Sequence, residues 1–186
     1  MKTVKKILIV LAVIVAIPLV LALFVSNEYT VQRSVQINKP RQDVFNYVKY
    51  LKNQNSFNVW SRMDPAMKSE FRGEDGTVGF VSAWESNDEH VGKGEQEIKK
   101  ITEGQSIETE LRFIKPFEGL AYASMITEDA GANGTIVKWN FNSKMPYPMN
   151  VMLLFMNMDE MLGKDLQQGL DNLKNSLEAP DGVAQQ

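Results

Sequence analysis

The pattern of apolar and polar positions changes character at Tyr29. Before it, Ile7 to Val25 is an unbroken run of Ile, Leu, Val, Ala and Phe with a single Pro18. As a helix its 19 residues span about 28 Å, close to the hydrocarbon thickness of a bilayer. Proline is tolerated in such helices. The run is apolar on every face, which disfavours a core helix with a polar stripe toward water.

From Tyr29 onward the apolar positions alternate in short segments. Tyr29 to Ile37 predicts a first strand, and Asn38 to Asp43 a turn with Pro40 near the first position of a helix. Val44, Phe45, Tyr47, Val48 and Leu51 supply that helix with an apolar face. Residues 53–65 are irregular or partly helical, with Phe57 and Trp60 as core anchors. Six further strands are predicted near 67–72, 78–85, 91–101, 106–114, 119–128 and 134–145, separated by turn residues at 73–76, 86–89, 103–104 and 131–134. Reversals this short make hairpins, so the sheet is antiparallel. Pro146 and Pro148 end the strands. A long amphipathic helix is predicted from Met149 to Leu177, the only element long enough to cover the sheet. The result is an α+β domain over 27–178, preceded by a tip and transmembrane segment over 1–26 and followed by a flexible tail over 179–186.

Charge gives the hydrophobic run an orientation. Lys2, Lys5 and Lys6 precede it, and no acid occurs before Glu28. The positive-inside rule then puts the N-terminus in the cytoplasm and the domain outside it. The location expected is a bacterial inner membrane, crossed once, with the domain periplasmic or extracellular. A second reading is a cleaved signal peptide with Val20-Leu21-Ala22 as its small-residue site; either reading exports the domain. Setting those three lysines aside leaves 17 basic against 23 acidic side chains. An acidic domain argues against nucleic acid as a partner. The absence of cysteine excludes disulfides, thiolate metal sites and a cysteine nucleophile.

The element order, Val35-Gln-Ile-Asn-Lys-Pro40 followed by Val44-Phe45, and Trp60 together resemble the START/Bet v 1-like (SRPBCC) superfamily. Its bacterial members are often described as polyketide cyclase/dehydrase-like. The stretches 113–119, 144–149, 155–159 and 163–165 are similar to a membrane-anchored subgroup. The resemblance covers about Tyr29 to Leu177. It implies a helix-grip fold, in which a curved seven-stranded antiparallel sheet wraps a long C-terminal helix around a cavity for apolar ligands. It does not imply one activity, because fold and function are separable.

Six of the ten methionines cluster at the start of the last helix. At helical spacing one stripe holds Met152, Phe155, Met156, Leu162, Leu166, Leu170, Leu173 and Leu177. Methionine suits a surface that adapts to apolar shapes, although ordinary core packing generates the same stripe. Asp159 and Gly163 interrupt it: the acid points toward a ligand, or it pairs with an Arg or a backbone amide, and the glycine leaves space beside it. Strand alternation directs Ile107, Thr109, Leu111 and Phe113 inward, with Val137, Trp139, Phe141 and Met145 on another strand. Phe80, Trp84 and Tyr122 are added to this inward set. The candidate ligand-binding set is Trp84, Leu111, Phe113, Trp139, Phe141, Met152, Phe155, Met156, Asp159 and Gly163.

Catalytic patterns are sparse. His90 is the only histidine and sits in a turn with Asn87, Asp88 and Glu89. It cannot build a multi-histidine metal site. Glu108 and Glu110 belong to the outward face of their strand. Arg62 and Arg112 read as surface charges or as binders of an anionic headgroup. Phosphate-cradling and dinucleotide motifs are absent, and no cofactor or metal is expected. The leading expectation is membrane-tethered binding of a hydrophobic or lipid-like small molecule. The rivals are a cyclase or dehydratase with Asp159 as general acid, and a non-catalytic protein-interaction module.

Overall fold

The computed structural model describes residues 2–131 and 133–179; Met1, Ala132 of the 131–134 turn and the tail residues 180–186 lie outside the described residues. Helix α1 (Lys2–Ala22) is followed by strand β1 (Glu28–Ile37), and three short helices come next: α2 (Arg41–Val48), α3 (Leu51–Phe57) and α4 (Val59–Met63). Six strands then run in succession: β2 (Lys68–Arg72), β3 (Val81–Glu85), β4 (Lys93–Thr102), β5 (Ser106–Lys115), β6 (Gly119–Asp129) and β7 (Thr135–Lys144). A 3-10 segment (Met149–Leu154) and helix α5 (Met158–Glu178) complete the chain.

Every neighbouring pair of strands is antiparallel, in the order β1-β7-β6-β5-β4-β3-β2. The first strand thus closes against the last, and the other five follow as hairpins. Register shifts between β4 and β5 at Lys93/Gly94 and Ile98/Lys100 bend the sheet, as bulges do. The alternation rule accounts for the inner face. On β6, Ala121, Ala123, Met125 and Thr127 are buried. On β7 the buried set is Thr135, Val137, Trp139 and Ser143. Tyr122, expected inward, is half-exposed on the outer face opposite Glu110, because the odd-numbered positions of β6 face the core.

Helix α5 packs chiefly on β1, and its Leu166, Leu170 and Leu173 join Phe45, Phe57, Ile98, Met125 and Trp139 in one core. The α+β helix-grip architecture follows from this packing. One expected element is divided. The helix predicted from Met149 to Leu177 is a 3-10 segment, a non-helical stretch at Phe155–Asn157, and then α5. Asn157 stops continuous helix by capping α5: it has non-helical angles (φ −84°, ψ 88°), and its side chain accepts from the Glu160 backbone N–H at 3.1 Å. Asn followed three positions later by Glu is a helix-start signal, here hidden inside a stripe that keeps its helical spacing.

Helix α1 is long and apolar enough to cross a membrane by length and composition. Its end is fastened to the domain. Buried Asn150, in the 3-10 segment, donates to the carbonyls of Ala22 at 2.7 Å and Val25 at 2.9 Å. Helix C-termini leave carbonyls without partners, and this amide supplies them from outside the helix.

Candidate functional site

The concave face of the sheet, α3, α4 and the early turns of α5 enclose a cavity of about 290 Å³, at the lower end of the usual size of small-molecule pockets. Leu111, Phe113, Ala123, Trp139 and Phe141 reach it from β5, β6 and β7, and Trp84 from β3. Leu51 and Trp60 cover it from the short helices, and Leu162 and Leu166 from α5. Trp60, Trp84 and Trp139 are all three tryptophans of the chain.

Two glycines make room for the aromatic walls. Gly94 stands opposite Trp84 across β3 and β4, and a Cβ there would lie 2.6 Å from Cζ2 of that indole. Trp84 consequently lies flat over β4, packs edge-on against Phe113 (centroids 6.1 Å apart) and donates its ring N–H to the Val91 carbonyl at 3.1 Å. Gly169 on α5 similarly admits Trp139, whose Cζ3 would be 2.8 Å from an added Cβ. Trp139 meets Phe57 edge-on at 5.9 Å.

The lining also has a polar side that the apolar periodicity does not reveal. Gln54, Asn55, Asn58, Ser61, Ser69, Ser82 and Gln96 border the cavity. Gln96 is the most informative, because its hydrogen-bond direction is fixed. The Thr109 hydroxyl donates to the Ala123 carbonyl at 3.3 Å, so its oxygen accepts from Gln96 Nε2 at 3.0 Å. The amide oxygen Oε1 accepts no hydrogen bond among the described residues, and the side chain borders the cavity from the inward row Gly94, Gln96 and Ile98. A glutamine in an inward row between Gly and Ile was the available signal, because such a side chain needs partners.

His90 is the ionisable side chain among the described lining residues. It stands at the rim with 85% of its side chain exposed, and its Nδ1 is 2.9 Å from Asp88 Oδ1. The His90 backbone N–H, and then its ring, hold the Asp88 carboxyl below the usual carboxylate range. Arg112 is on the outer face among Glu95, Glu97 and Glu110. Those acids hold its guanidinium above its ordinary value, with Glu95 the largest cause.

The candidate set divides in two. Trp84, Leu111, Phe113, Trp139 and Phe141 come together on the cavity wall. Met152, Phe155, Met156, Asp159 and Gly163 lie outside the lining of this cavity, contrary to the common helical stripe expected for them. The break at Phe155–Asn157 takes Met152 and Phe155 off the stripe, and both are exposed; Met156 is half-buried outside the lining. Asp159 is turned away from the cavity, 64% exposed, and held by Arg33. One guanidinium nitrogen donates to Asp159 Oδ1 at 2.8 Å, and the other to Oδ2 at 2.9 Å and to the Asp159 carbonyl at 2.6 Å. This bond lowers the pKa of the acid and raises that of Arg33. Gly163 makes room for that arginine rather than for a ligand.

Solved structures share the architecture. A truncated norcoclaurine synthase from Thalictrum flavum matches with a TM-score of 0.60 at 10% identity, over 84% of this chain and 98% of that one. A protein from Nitrosospira multiformis matches at 0.56 with 14% identity, over 81% and 97%. One from Rhizobium loti matches at 0.56 with 15% identity, over 79% and 95%. At these identities the likeness is one of fold. Among curated proteins, none matches in sequence. Residues 28–178 match the model of the family described as polyketide cyclase/dehydrase and lipid transport, and the chain belongs to that family.

Proposed function

We propose that this protein binds an apolar small molecule that carries a hydrogen-bond donor, in the cavity between sheet and helix, while α1 tethers it to a membrane. The observation that carries the reading is the cavity wall: three tryptophans and two phenylalanines beside Gln96 and Gln54, whose amide oxygens accept no hydrogen bond among the described residues. Apolar ligand surface gains about 25 cal/mol per Å² on leaving water, and an amide oxygen selects a hydroxyl or N–H. Membership of a family that includes lipid transport supports a lipid-like ligand.

Binding is favoured over catalysis by the position of the acids. Asp159, the general acid of the enzyme reading, is outside the cavity with Arg33, and the remaining ionisable group of the described lining is His90 at an exposed rim. The retained anchor is supported by Asn150, whose amide serves the end of α1. With Lys2, Lys5 and Lys6 on the cytoplasmic side, the domain over 27–178 stands outside the cytoplasm.

The test is native mass spectrometry of the full chain released from lipid nanodiscs, with tryptophan emission followed as decanol is added. A co-purifying small molecule, or a saturable emission change with decanol, is expected. A chain that emerges ligand-free and whose emission ignores decanol would overturn the reading.

A further inference from the structure

Strand register brings several distant segments to one end of the domain. Glu28, at the start of β1, faces Lys144 at the end of β7, and Ser143 faces Ala121 near the start of β6. Leu120 faces Arg112 near the end of β5. The exit of α1, the loop between β5 and β6, and the 3-10 segment therefore share this end. The three most exposed large apolar side chains among the described residues belong to these segments: Phe24 (84%), Phe155 (84%) and Phe117 (83%). Tyr147, Met149 and Leu154 are exposed beside them. At the opposite end, residues 38–40, 103–105 and the described part of 130–134 expose no large apolar side chain, and the loop between β2 and β3 exposes Val78 (61%) without an exposed aromatic ring beside it in that loop.

We propose that this end is a collar seated in the lipid bilayer, with Phe24, Phe117 and Phe155 among the lipids at the boundary of headgroups and acyl chains. The proposal rests on the reading of α1 as a membrane span. Its apolar part from Ile7 to Ala22 covers about 24 Å, less than the hydrocarbon layer of about 30 Å, so the apolar link Leu23 to Val25 stays within the lipid and the domain begins at its surface. That link starts as a tightened last turn, with Leu23 and Phe24 N–H groups donating to Val20 and Leu21 carbonyls. Asn150 ties the 3-10 segment to the same point, and the Met145 N–H donates to the Asn27 carbonyl at 2.8 Å. A domain held this closely cannot stand clear of the lipid. Amphipathic surfaces bury apolar side chains to about this depth, and a cluster of exposed phenylalanines marks a contact surface. The loop between β3 and β4 lies at the same end, since Glu85 pairs with Lys93 and Lys93 with Lys115. It carries His90 and Val91 of the cavity rim, so a seated collar opens the rim beside the lipid.

The experiment compares four tryptophan variants of the full chain in phosphatidylcholine vesicles with and without lipid brominated near the headgroup or at the chain centre. Phe117→Trp and Phe155→Trp report the collar, Ile14→Trp the span, and Val78→Trp the loop between β2 and β3 away from it; the three native tryptophans set the background. The proposal expects a loss of emission with headgroup-side bromine at 117 and 155 but not at 78, and with chain-centre bromine at 14. Quenching at 14 with none at 117 and 155 would overturn the collar and leave the span intact. No quenching at 14 would overturn the span reading itself. Protection of 117 and 155 that depends on protein concentration, without quenching, would assign the face to a second copy and overturn the proposal. Both substituted collar positions are exposed, and far-UV circular dichroism verifies folding of each variant.

Discussion

Arg33 occupies the space that a side chain at residue 163 would fill: a Cβ on Gly163 would lie 1.9 Å from Nη2 of Arg33. The glycine on α5 thus decides whether the arginine on β1 can lie against the helix and reach Asp159. Gly163→Ala should expel the flexible guanidinium. An exposed ion pair contributes little to stability, whereas alanine in a helix interior gains about 1 kcal/mol over glycine. The variant is expected to be as stable as the parent or slightly more so, while the Asp159 carboxyl returns to the ordinary range by NMR titration. In an Arg33→Met background the same change should give the full helix gain and leave that pKa unmoved. A large loss of stability in the single variant would refute this account of the glycine.

The pH dependence of that pair has a definite sign. Arg33 holds the Asp159 pKa below its usual value, so the contribution is present above the unfolded carboxylate pKa of about 4 and is lost as pH falls through the depressed one. Melting temperatures of the parent and Asp159→Asn should differ by a constant amount at neutral pH and converge in strong acid. A gap that widens on acidification would reverse the assignment.

Gln96 should discriminate ligands by their donors. An apolar group against a desolvated amide oxygen forfeits a hydrogen bond, so decanol should bind about tenfold or more tightly than its methyl ether. Gln96→Leu should abolish that preference while leaving the ether bound. Equal discrimination in both proteins, read from tryptophan emission, would remove Gln96 from the site.

Filling the cavity should separate binding from stability. Ala123 is a nearly buried wall residue, and Ala123→Leu extends three carbons toward the open volume. Decanol affinity should fall by about tenfold or more, with stability changed by less than about 2 kcal/mol. Unchanged affinity would place the ligand elsewhere.

Asn150→Ala should leave the carbonyls of Ala22 and Val25 without their donor, at a cost of about 1–3 kcal/mol for buried groups. Faster amide exchange confined to the link and the last turn of α1 is the expected readout. An unaltered link would mean that the end of α1 is not held by this side chain.

The inner faces of β5 and β7 were legible because strand alternation is set by local backbone geometry. Ile107, Thr109, Leu111 and Phe113 all face inward, as do Val137, Trp139 and Phe141. On β6 the same rule puts Ala121, Ala123 and Met125 inward and Tyr122 outward. The helical stripe did not hold. Periodicity assumes one uninterrupted rotation, and the Asn157 cap resets it; Met152 and Phe155 kept their spacing but lost their common face.

By itself, the sequence determined the apolar N-terminal helix, the antiparallel hairpins, the α+β class and the resemblance to the helix-grip superfamily. These depend on runs, alternation and turn chemistry within short stretches. Only the tertiary structure decided that Asp159 belongs to Arg33, that Gly163 seats that arginine, and that Gln96, its amide oxygen unpaired, borders the cavity. Arg33 and Asp159 are 126 positions apart, and Gln96 and Thr109 are joined across a bulged pair of strands. Such contacts are set by how curved elements close on one another, and no local pattern along the chain records that geometry.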